Sequence, residues 1–95
     1  MDFLTQLFKG VANERRMQML ELLLGGEEIP IEEIASSLKI PEVTCCRNLK
    51  ILERVHLVRS HRRSGRVLYS INTAQGYFYN KTIIDLIRRK AKRRI

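Results

Sequence analysis

Two adjacent cysteines, Cys45 and Cys46, carry the most reactive side chains in the sequence. Thiolates can ligate a metal, form a disulfide or react with oxidants. A structural zinc site needs a complete tetrahedral ligand set, and only His56 and His61 could join the cysteines, which argues against metal binding. Neighbouring residues of a helix point about 100° apart, so a disulfide between the two would require a broken helix. A single reactive thiol and a pair of small packing residues are both still open.

Basic side chains offer a second kind of chemistry, the binding of an anion. The formal net charge is +8, and it is unevenly placed along the chain. Residues 1–42 hold four Lys/Arg and eight Asp/Glu, whereas residues 43–95 hold fourteen and two. Positive charge gathered in one part of a small chain is typical of proteins that bind a polyanion. Nucleic acid is the first candidate partner, and an anionic membrane surface is the second.

Length and composition restrict the class of protein. At 95 residues, 44% hydrophobic and 29% charged, the chain is expected to form one folded domain over residues 1–95. It has no apolar run near the ~20 residues that span a bilayer and no signal-peptide pattern, so we expect a cytoplasmic protein with no membrane partner. A reducing cytosol fits two cysteines that cannot form a disulfide framework. No nucleophile–base pair, phosphate-binding loop or carboxylate dyad is recognisable, so we expect neither an enzyme nor a cofactor.

The elements that position these residues follow from hydrophobic periodicity and capping signals. Residues 3–11 have helical spacing, and Asn13 is a good N-cap for a second helix that ends before two glycines. A third, short helix begins at Ile31. A fourth opens at Pro41, a residue that suits a first helical turn, and runs to about Val55.

After the fourth helix the period changes to that of β-strands. The segments "HLVRSH" and "RVLYSI" are joined by "RRSG", in which Gly65 can adopt a positive φ, and together they predict a β-hairpin. A last helix runs from about Ala74 toward the C-terminus. The predicted order is helix, helix, helix, helix, hairpin, helix. A short helix, the turn "LKIP", a longer helix and a basic hairpin define a mainly α protein with a β-hairpin wing, a winged helix-turn-helix.

The helix after the turn is the candidate recognition helix. Its predicted core face holds Cys45, Leu49 and Leu52. The predicted outer face and its flank hold Val43, Thr44, Arg47, Asn48, Lys50 and Arg54. Basic side chains on such a face can reach phosphates and the O6/N7 edge of guanine. The alternative is a solvated charged face.

The hairpin favours the DNA-binding interpretation. Its basic residues are Arg59, His61, Arg62, Arg63 and Arg66. Such density is more than a solvated hairpin needs, and it fits a wing that lies along a DNA backbone or enters a minor groove.

The two cysteines can now be placed on the fourth helix. Cys45 lies on the core face and is interpreted as a small packing residue. Cys46 lies on a flank near Arg47 and Lys50, and we interpret it as a small side chain at a DNA-facing position. A redox-sensing thiol at Cys46 is the alternative, and metal ligation is a weaker one.

The last helix is apolar around more of its circumference than one small core can cover. Its apolar residues are Tyr77, Tyr79, Ile83, Ile84, Leu86, Ile87, Ala91 and Ile95. A stripe of this width favours a partner surface. The alternative is that all of these residues fold onto the chain's own core.

Two segments resemble the ArsR/SmtB family of dimeric winged-helix repressors. "VANERRMQMLELL" is similar to the family's "LADPTRLRILELL", and "VTCCRNLKILERVHLVRSHRRSGRVLYSIN" is similar to its "STVSRHLKVLREAGLVRSRREGRxVYYSLN". The resemblance implies DNA contacts from Thr44, Cys46, Arg47 and Asn48, and wing roles for Arg62, Arg63 and Arg66. It also implies a dimer interface built from the first and last helices, with Phe3, Leu4, Leu7, Phe8, Tyr77, Ile84, Ile87 and Ala91.

The chain departs from the family at both of its usual metal sites. Metal-sensing members carry "ELCVCEL" before the turn, where this chain has "EIPIEEI" with Pro30 and Glu32 in place of the cysteines. The last helix has Asp85 but no histidine. We therefore predict no bound metal.

The sequence as a whole predicts a sequence-specific, DNA-binding transcriptional regulator, a repressor that acts as a homodimer on double-stranded DNA. One alternative is a winged-helix module that binds RNA or bridges proteins. Another is a redox-responsive regulator that uses Cys46.

Overall fold

The structure is a computed structural model that describes residues 1–93. Ile95, which we placed in the apolar stripe of the last helix, lies outside the described residues. Five helices and three short strands follow one another as α1 (Phe3–Val11), α2 (Glu14–Leu23), β1 (Ile29–Pro30), α3 (Ile31–Leu38), α4 (Glu42–Arg54), β2 (Val58–Arg63), β3 (Arg66–Ile71) and α5 (Phe78–Lys92). The predicted order of helices and hairpin is confirmed, with β1 as an addition.

Local capping explains where the first helices begin. The Oδ1 of Asp2 accepts a hydrogen bond from the Thr5 amide at 2.8 Å, and this bond holds the pKa of Asp2 below its usual value. The Oδ1 of Asn13 accepts from the Arg16 amide at 3.0 Å, as predicted for the second helix. At α4 the prediction was one residue early, because Pro41 has an extended backbone and Glu42 is the first helical residue.

A tight turn joins α3 to α4. Lys39 adopts the left-handed conformation with φ of 56°, and the Ile40 amide donates to the Ala35 carbonyl at 3.1 Å. This pairing closes the end of α3, and Pro41 then starts a new direction because it cannot continue the helix. The turn therefore sets α4 at an angle to α3, as in a helix-turn-helix.

A two-residue turn closes the hairpin. Ser64 and Gly65 both have positive φ, 51° and 77°, which is the conformation required by the turns that best fit the twist of paired strands. The antiparallel register runs from Val58 opposite Ile71 to Arg63 opposite Arg66. The hairpin is thus paired up to its tip, which brings two arginines side by side.

The two-residue strand β1 is absent from the sequence prediction. It pairs with β3, with Ile29 opposite Tyr69 and Pro30 opposite Leu68, so the sheet order is β1-β3-β2. Two residues are too few for a period-2 pattern, and Pro30 is tolerated because β1 lies at a sheet edge.

The core collects around α2, against which all four other helices and β3 pack. Side chains from every helix are buried there, including Leu7, Met19, Leu20, Leu23, Ile34, Cys45, Leu49, Leu52 and Ile87. The predicted core face of α4 is confirmed, since Cys45, Leu49 and Leu52 have no exposed area.

The last helix begins later than predicted, at Phe78 instead of about Ala74. Residues 72–77 form a loop because the Oδ1 of Asn72 accepts from the Ala74 amide and Gly76 has a φ of 98°. Such a positive φ cannot be part of a right-handed helix. No helix in residues 1–93 combines the length and the apolar character that crossing a membrane would demand.

Candidate nucleic-acid interface

The outer face of α4 is a row of exposed side chains opposite a fully buried one. Val43 is 62% exposed, and Arg47, Lys50 and Arg54 are exposed along the same side. Within residues 1–93 these three basic side chains form no ion pair and no hydrogen bond. They are therefore available to an anionic partner.

Arg16, on α2, ties α4 to the end of α1. Its Nε donates to the Gly10 carbonyl at 2.6 Å, and its Nη2 donates to the Lys9 carbonyl at 3.3 Å. Its Nη1 donates to the Oδ1 of Asn48 at 3.0 Å. A half-buried guanidinium with three acceptors fixes these elements relative to one another, because charge-assisted hydrogen bonds are directional and strong.

This network bears on Asn48, which we predicted to contact DNA. Its Oδ1 accepts from Arg16, and its Nδ2 donates to the Thr44 carbonyl at 2.9 Å. Both polar groups of the Asn48 side chain are thus hydrogen-bonded within the protein. These bonds assign Asn48 a role in holding α4 in place. Our interpretation of the sequence missed Arg16, although it lies in the quoted segment "VANERRMQMLELL" that resembles the family.

The wing carries basic side chains in two different states. Arg59 and Arg62 are exposed, and within the described part of the chain neither has an ion pair. Arg63 and Arg66 are instead paired with carboxylates: the Arg63 Nη2 lies 3.1 Å from an oxygen of Glu28. The corresponding distance from the Arg66 Nε to Glu32 is 2.9 Å. The five basic residues of the hairpin are therefore not equivalent, a distinction that sequence reasoning did not make.

A contact between α4 and β2 sets the wing relative to the helix. The Oγ of Ser60 donates to the Oε2 of Glu53 at 2.7 Å. Burial, with a smaller effect of the Glu53 carboxylate, raises the pKa of Tyr69 to about 12, so this phenol is neutral. The wing and the helix are thus joined at their base, while the tip of the hairpin stays exposed.

The structure separates the two cysteines. Cys45 is fully buried, and burial, with smaller effects of Cys46 and Glu42, raises the pKa of its thiol to about 11. Cys46 is half-buried on the flank of α4. Among residues 1–93 there is no group of three His, Cys, Asp or Glu side chains that could hold a metal ion. The redox alternative for Cys46 stays a prediction.

Alkylation should distinguish the two thiols. In the native protein at neutral pH, iodoacetamide is expected to modify Cys46 alone. The buried Cys45 is not accessible to the reagent, and its raised pKa keeps it in the unreactive thiol form. Cys45 should react only after unfolding in guanidinium. Mass spectrometry of peptides from native and unfolded samples measures both rates. Equal reaction of the two in the native protein would contradict the burial of Cys45.

Large apolar side chains remain exposed on α1 and on α5. Phe3 and Phe8 are 37% and 54% exposed, and Tyr79 and Leu86 are 49% and 56% exposed. The exposed Phe78 lies edge-to-face against Tyr79. We call Phe3, Phe8, Tyr79 and Leu86 the apolar surface below.

The predicted dimer residues need correction against this surface. Leu7, Ile84 and Ile87 are at most 8% exposed, because they pack into the chain's own core, so they offer little surface to a partner. The dimer interface itself stays a prediction. Leu4, Tyr77 and Ala91 are half-buried. The alternative we considered, that the stripe of α5 folds onto its own core, therefore holds for its central isoleucines and not for Tyr79 and Leu86.

Aromatic contacts connect the apolar surface to the end of α4. The ring of His56, just beyond α4, stacks on Tyr77 at 4.7 Å between centroids and lies 6.2 Å from Phe3. The buried Asn80 donates its Nδ2 to the Val55 carbonyl at 2.7 Å. The candidate recognition helix is thus held at its C-terminal end by both α1 and α5.

Comparisons with known proteins agree on one class. No family model matches the chain. The transcriptional activator HlyU of Vibrio cholerae is 31% identical over 83 residues, 87% of this chain and 72% of HlyU. The transcriptional repressor SdpR of Bacillus subtilis is 29% identical over 70 residues, 74% of this chain and 77% of SdpR.

Solved structures give the same class. A homodimeric winged helix-turn-helix DNA-binding domain from Mycobacterium bovis, a possible ArsR-family transcriptional regulator, superposes with a TM-score of 0.79 at 31% identity. The matched region covers 96% of this chain and 80% of that domain. HlyU from Vibrio cholerae superposes with a TM-score of 0.77 at 30% identity, covering 92% of this chain and 89% of HlyU.

The fold, the exposed basic helix and the relatives all indicate the same class of protein. The chain is a winged helix-turn-helix regulator of transcription that binds DNA. The chain belongs to the ArsR family of transcriptional regulators. The resemblance read from the sequence and the winged helix-turn-helix fold are both confirmed.

Proposed function

We propose that the chain binds double-stranded DNA as a homodimer and reads base sequence with the outer face of α4. The observation that carries this proposal is the division of α4 into a fully buried side and a side with exposed, unpaired Arg47, Lys50 and Arg54. A helix fixed in this way against its own core can place side chains in the major groove without losing its position.

The exposed basic residues divide into two roles by position. Arg47 lies in the N-terminal half of α4, the part of a recognition helix that reaches base edges, and is assigned to a guanine. Arg59 and Arg62 lie on the wing and are assigned to phosphates or the minor groove. Base contacts set sequence preference, whereas phosphate contacts set overall affinity.

Dimer formation follows from the apolar surface. A monomer would leave the large apolar side chains of Phe8, Tyr79 and Leu86 in water, and apolar exposure of this kind favours a partner surface. The Mycobacterium bovis relative is homodimeric. A two-fold dimer requires an inverted-repeat DNA site with half-site centres about one helical turn, ~10–10.5 bp, apart.

One relative is an activator and another is a repressor. For this chain we propose repression, because a dimer seated in two successive major grooves of a promoter excludes other proteins from the same sites. DNA selected by binding, as below, can then be placed upstream of a reporter to measure the direction of control.

Selection of bound duplexes from a random pool tests the proposal. The wild-type protein is expected to enrich an inverted repeat, and Arg47→Ala should lower affinity for that repeat by about 1–3 kcal/mol and relax one base position in each half-site. Lys81→Ala, which removes one charge from α5, is the matched control and should keep the preference.

Two results would count against this assignment. If no sequence is enriched over random duplex, or if an RNA duplex binds as tightly as the DNA, the chain is a nucleic-acid module without sequence reading. If Lys81→Ala relaxes the preference as Arg47→Ala does, α4 is not the reading helix.

A further inference from the structure

Two carboxylates outside the wing engage the tip of the wing. Glu28 precedes β1 and contacts both Arg63, at 3.1 Å, and the Nδ1 of His61, at 3.8 Å. Glu32, in the first turn of α3, contacts Arg66 at 2.9 Å. Three of the five basic side chains of the hairpin thus face an acidic partner in the same chain.

The sheet brings these groups together. Because β1 pairs with β3 from Ile29 opposite Tyr69 to Pro30 opposite Leu68, the residues that flank β1 lie next to the hairpin. Arg63 is directly opposite Arg66 in the register of β2 and β3. Like charges in this position repel each other. The two glutamates place negative charge beside these arginines and so offset that repulsion.

We propose that Glu28 and Glu32 are positioning residues that stand in for DNA phosphates. In the free protein they hold Arg63 and Arg66, and on binding a duplex the phosphates displace them. The affinity of the wing for DNA is then set by this competition, and Arg59 and Arg62 provide the contacts that need no displacement. This inference rests on the proposed binding of duplex DNA.

The chemistry of the pairs permits such an exchange. Carboxylate and phosphate oxygens are both anionic acceptors for a guanidinium. The side chains of Arg63 and Arg66 are 62% and 57% exposed, so they can leave the glutamates without any change in the core. Exposed ion pairs are weak, so the displacement costs little and a duplex can achieve it. The hydrogen bond from Arg66 holds the pKa of Glu32 below its usual value, so the carboxylate is charged at neutral pH.

The neighbouring residues supply matched controls. Glu27 and Glu33 adjoin Glu28 and Glu32 in sequence and are exposed, and within residues 1–93 neither forms an ion pair. The variant Glu28→Gln/Glu32→Gln and the control Glu27→Gln/Glu33→Gln have the same net charge. Any difference between them in DNA affinity therefore reports the ion pairs and not the overall charge.

Binding of a short random-sequence duplex, measured by fluorescence anisotropy at several salt concentrations, is the test. Glu28→Gln/Glu32→Gln is expected to bind on the order of tenfold more tightly than the control, since the carboxylates that pair with Arg63 and Arg66 are removed from each of two wings. The slope of log K against log salt should not become shallower, because the freed arginines still neutralise phosphates. Arg66→Ala should weaken binding more in the Glu32→Gln background than in the wild type. In that background Arg66 contacts phosphate without competition from Glu32, so its removal loses the whole of that contact.

Equal or weaker binding by Glu28→Gln/Glu32→Gln relative to the control would overturn the proposal. Weaker binding would mean that the glutamates hold the wing in its binding conformation. Failure of the wild-type protein to bind any duplex would instead remove the proposed function, and this inference with it. Thermal unfolding of both double variants serves as a check that the hairpin and core remain folded.

Discussion

Replacing Tyr79 and Leu86 by glutamate is expected to convert a dimer into monomers and to weaken duplex binding by at least about a hundredfold. Each copy alone can engage only one half-site, and linking two binding units commonly raises avidity by about 10²–10⁴. The two side chains are about half exposed, so the substitution places the new charges on the surface and leaves the core intact. Sedimentation measures the mass, and anisotropy with an inverted-repeat duplex measures the affinity.

The choice of residues matters for this experiment. Glutamate at Ile84 or Ile87 would unfold the chain, because both are buried and an unpaired buried charge is costly. Thr73→Glu/Gln75→Glu adds the same charge at two exposed positions of the loop before α5 and is the control. A wild-type protein that sediments as a monomer at micromolar concentration would contradict the assignment of the apolar surface to a dimer. So would a control that dissociates to the same extent.

Raising the salt concentration from about 50 to about 200 mM is expected to lower DNA affinity by ~10³–10⁵, the loss expected for about 6–10 phosphate contacts. In each protomer, α4 and the wing together offer five exposed basic side chains without an ion pair in residues 1–93, Arg47, Lys50, Arg54, Arg59 and Arg62. A dimer therefore has enough exposed basic side chains to make about 6–10 phosphate contacts. Displacement of counterions from DNA by these cations is the physical cause of the salt dependence.

Sedimentation of the same samples at each salt concentration measures the fraction of dimer and provides the control. The proposed dimer interface is apolar, so we expect dissociation of the dimer to change little over this range of salt. A loss of affinity below about tenfold would mean that few phosphates are neutralised and that α4 and the wing do not both lie on the duplex. A parallel loss of the dimer would assign the salt effect to assembly instead.

Local signals were sufficient for most of the helices and for the hairpin. Asn13 caps α2, and a two-residue turn with Gly65 closes the hairpin, and both depend only on residues a few positions apart. The separation of Cys45 from Arg47 on α4 also follows from sequence, because a helix fixes the direction of each side chain relative to its neighbours. The fold class and the exposed basic face of α4 could for this reason be predicted, and the family followed from the resemblance of two segments.

Tertiary structure alone decided which groups pair. The partners Arg16 and Asn48 are separated by 32 residues, Glu28 and Arg63 by 35, and Glu32 and Arg66 by 34. No local period relates residues so far apart. Strand β1 exists only because β3 offers an edge to two residues that have no strand signal of their own.

On α5 the apolar pattern extends around the helix. Only the packing of α5 into the core buries Ile84 and Ile87 and leaves Tyr79 and Leu86 outside, because a periodicity identifies apolar residues and not the surface that will cover them.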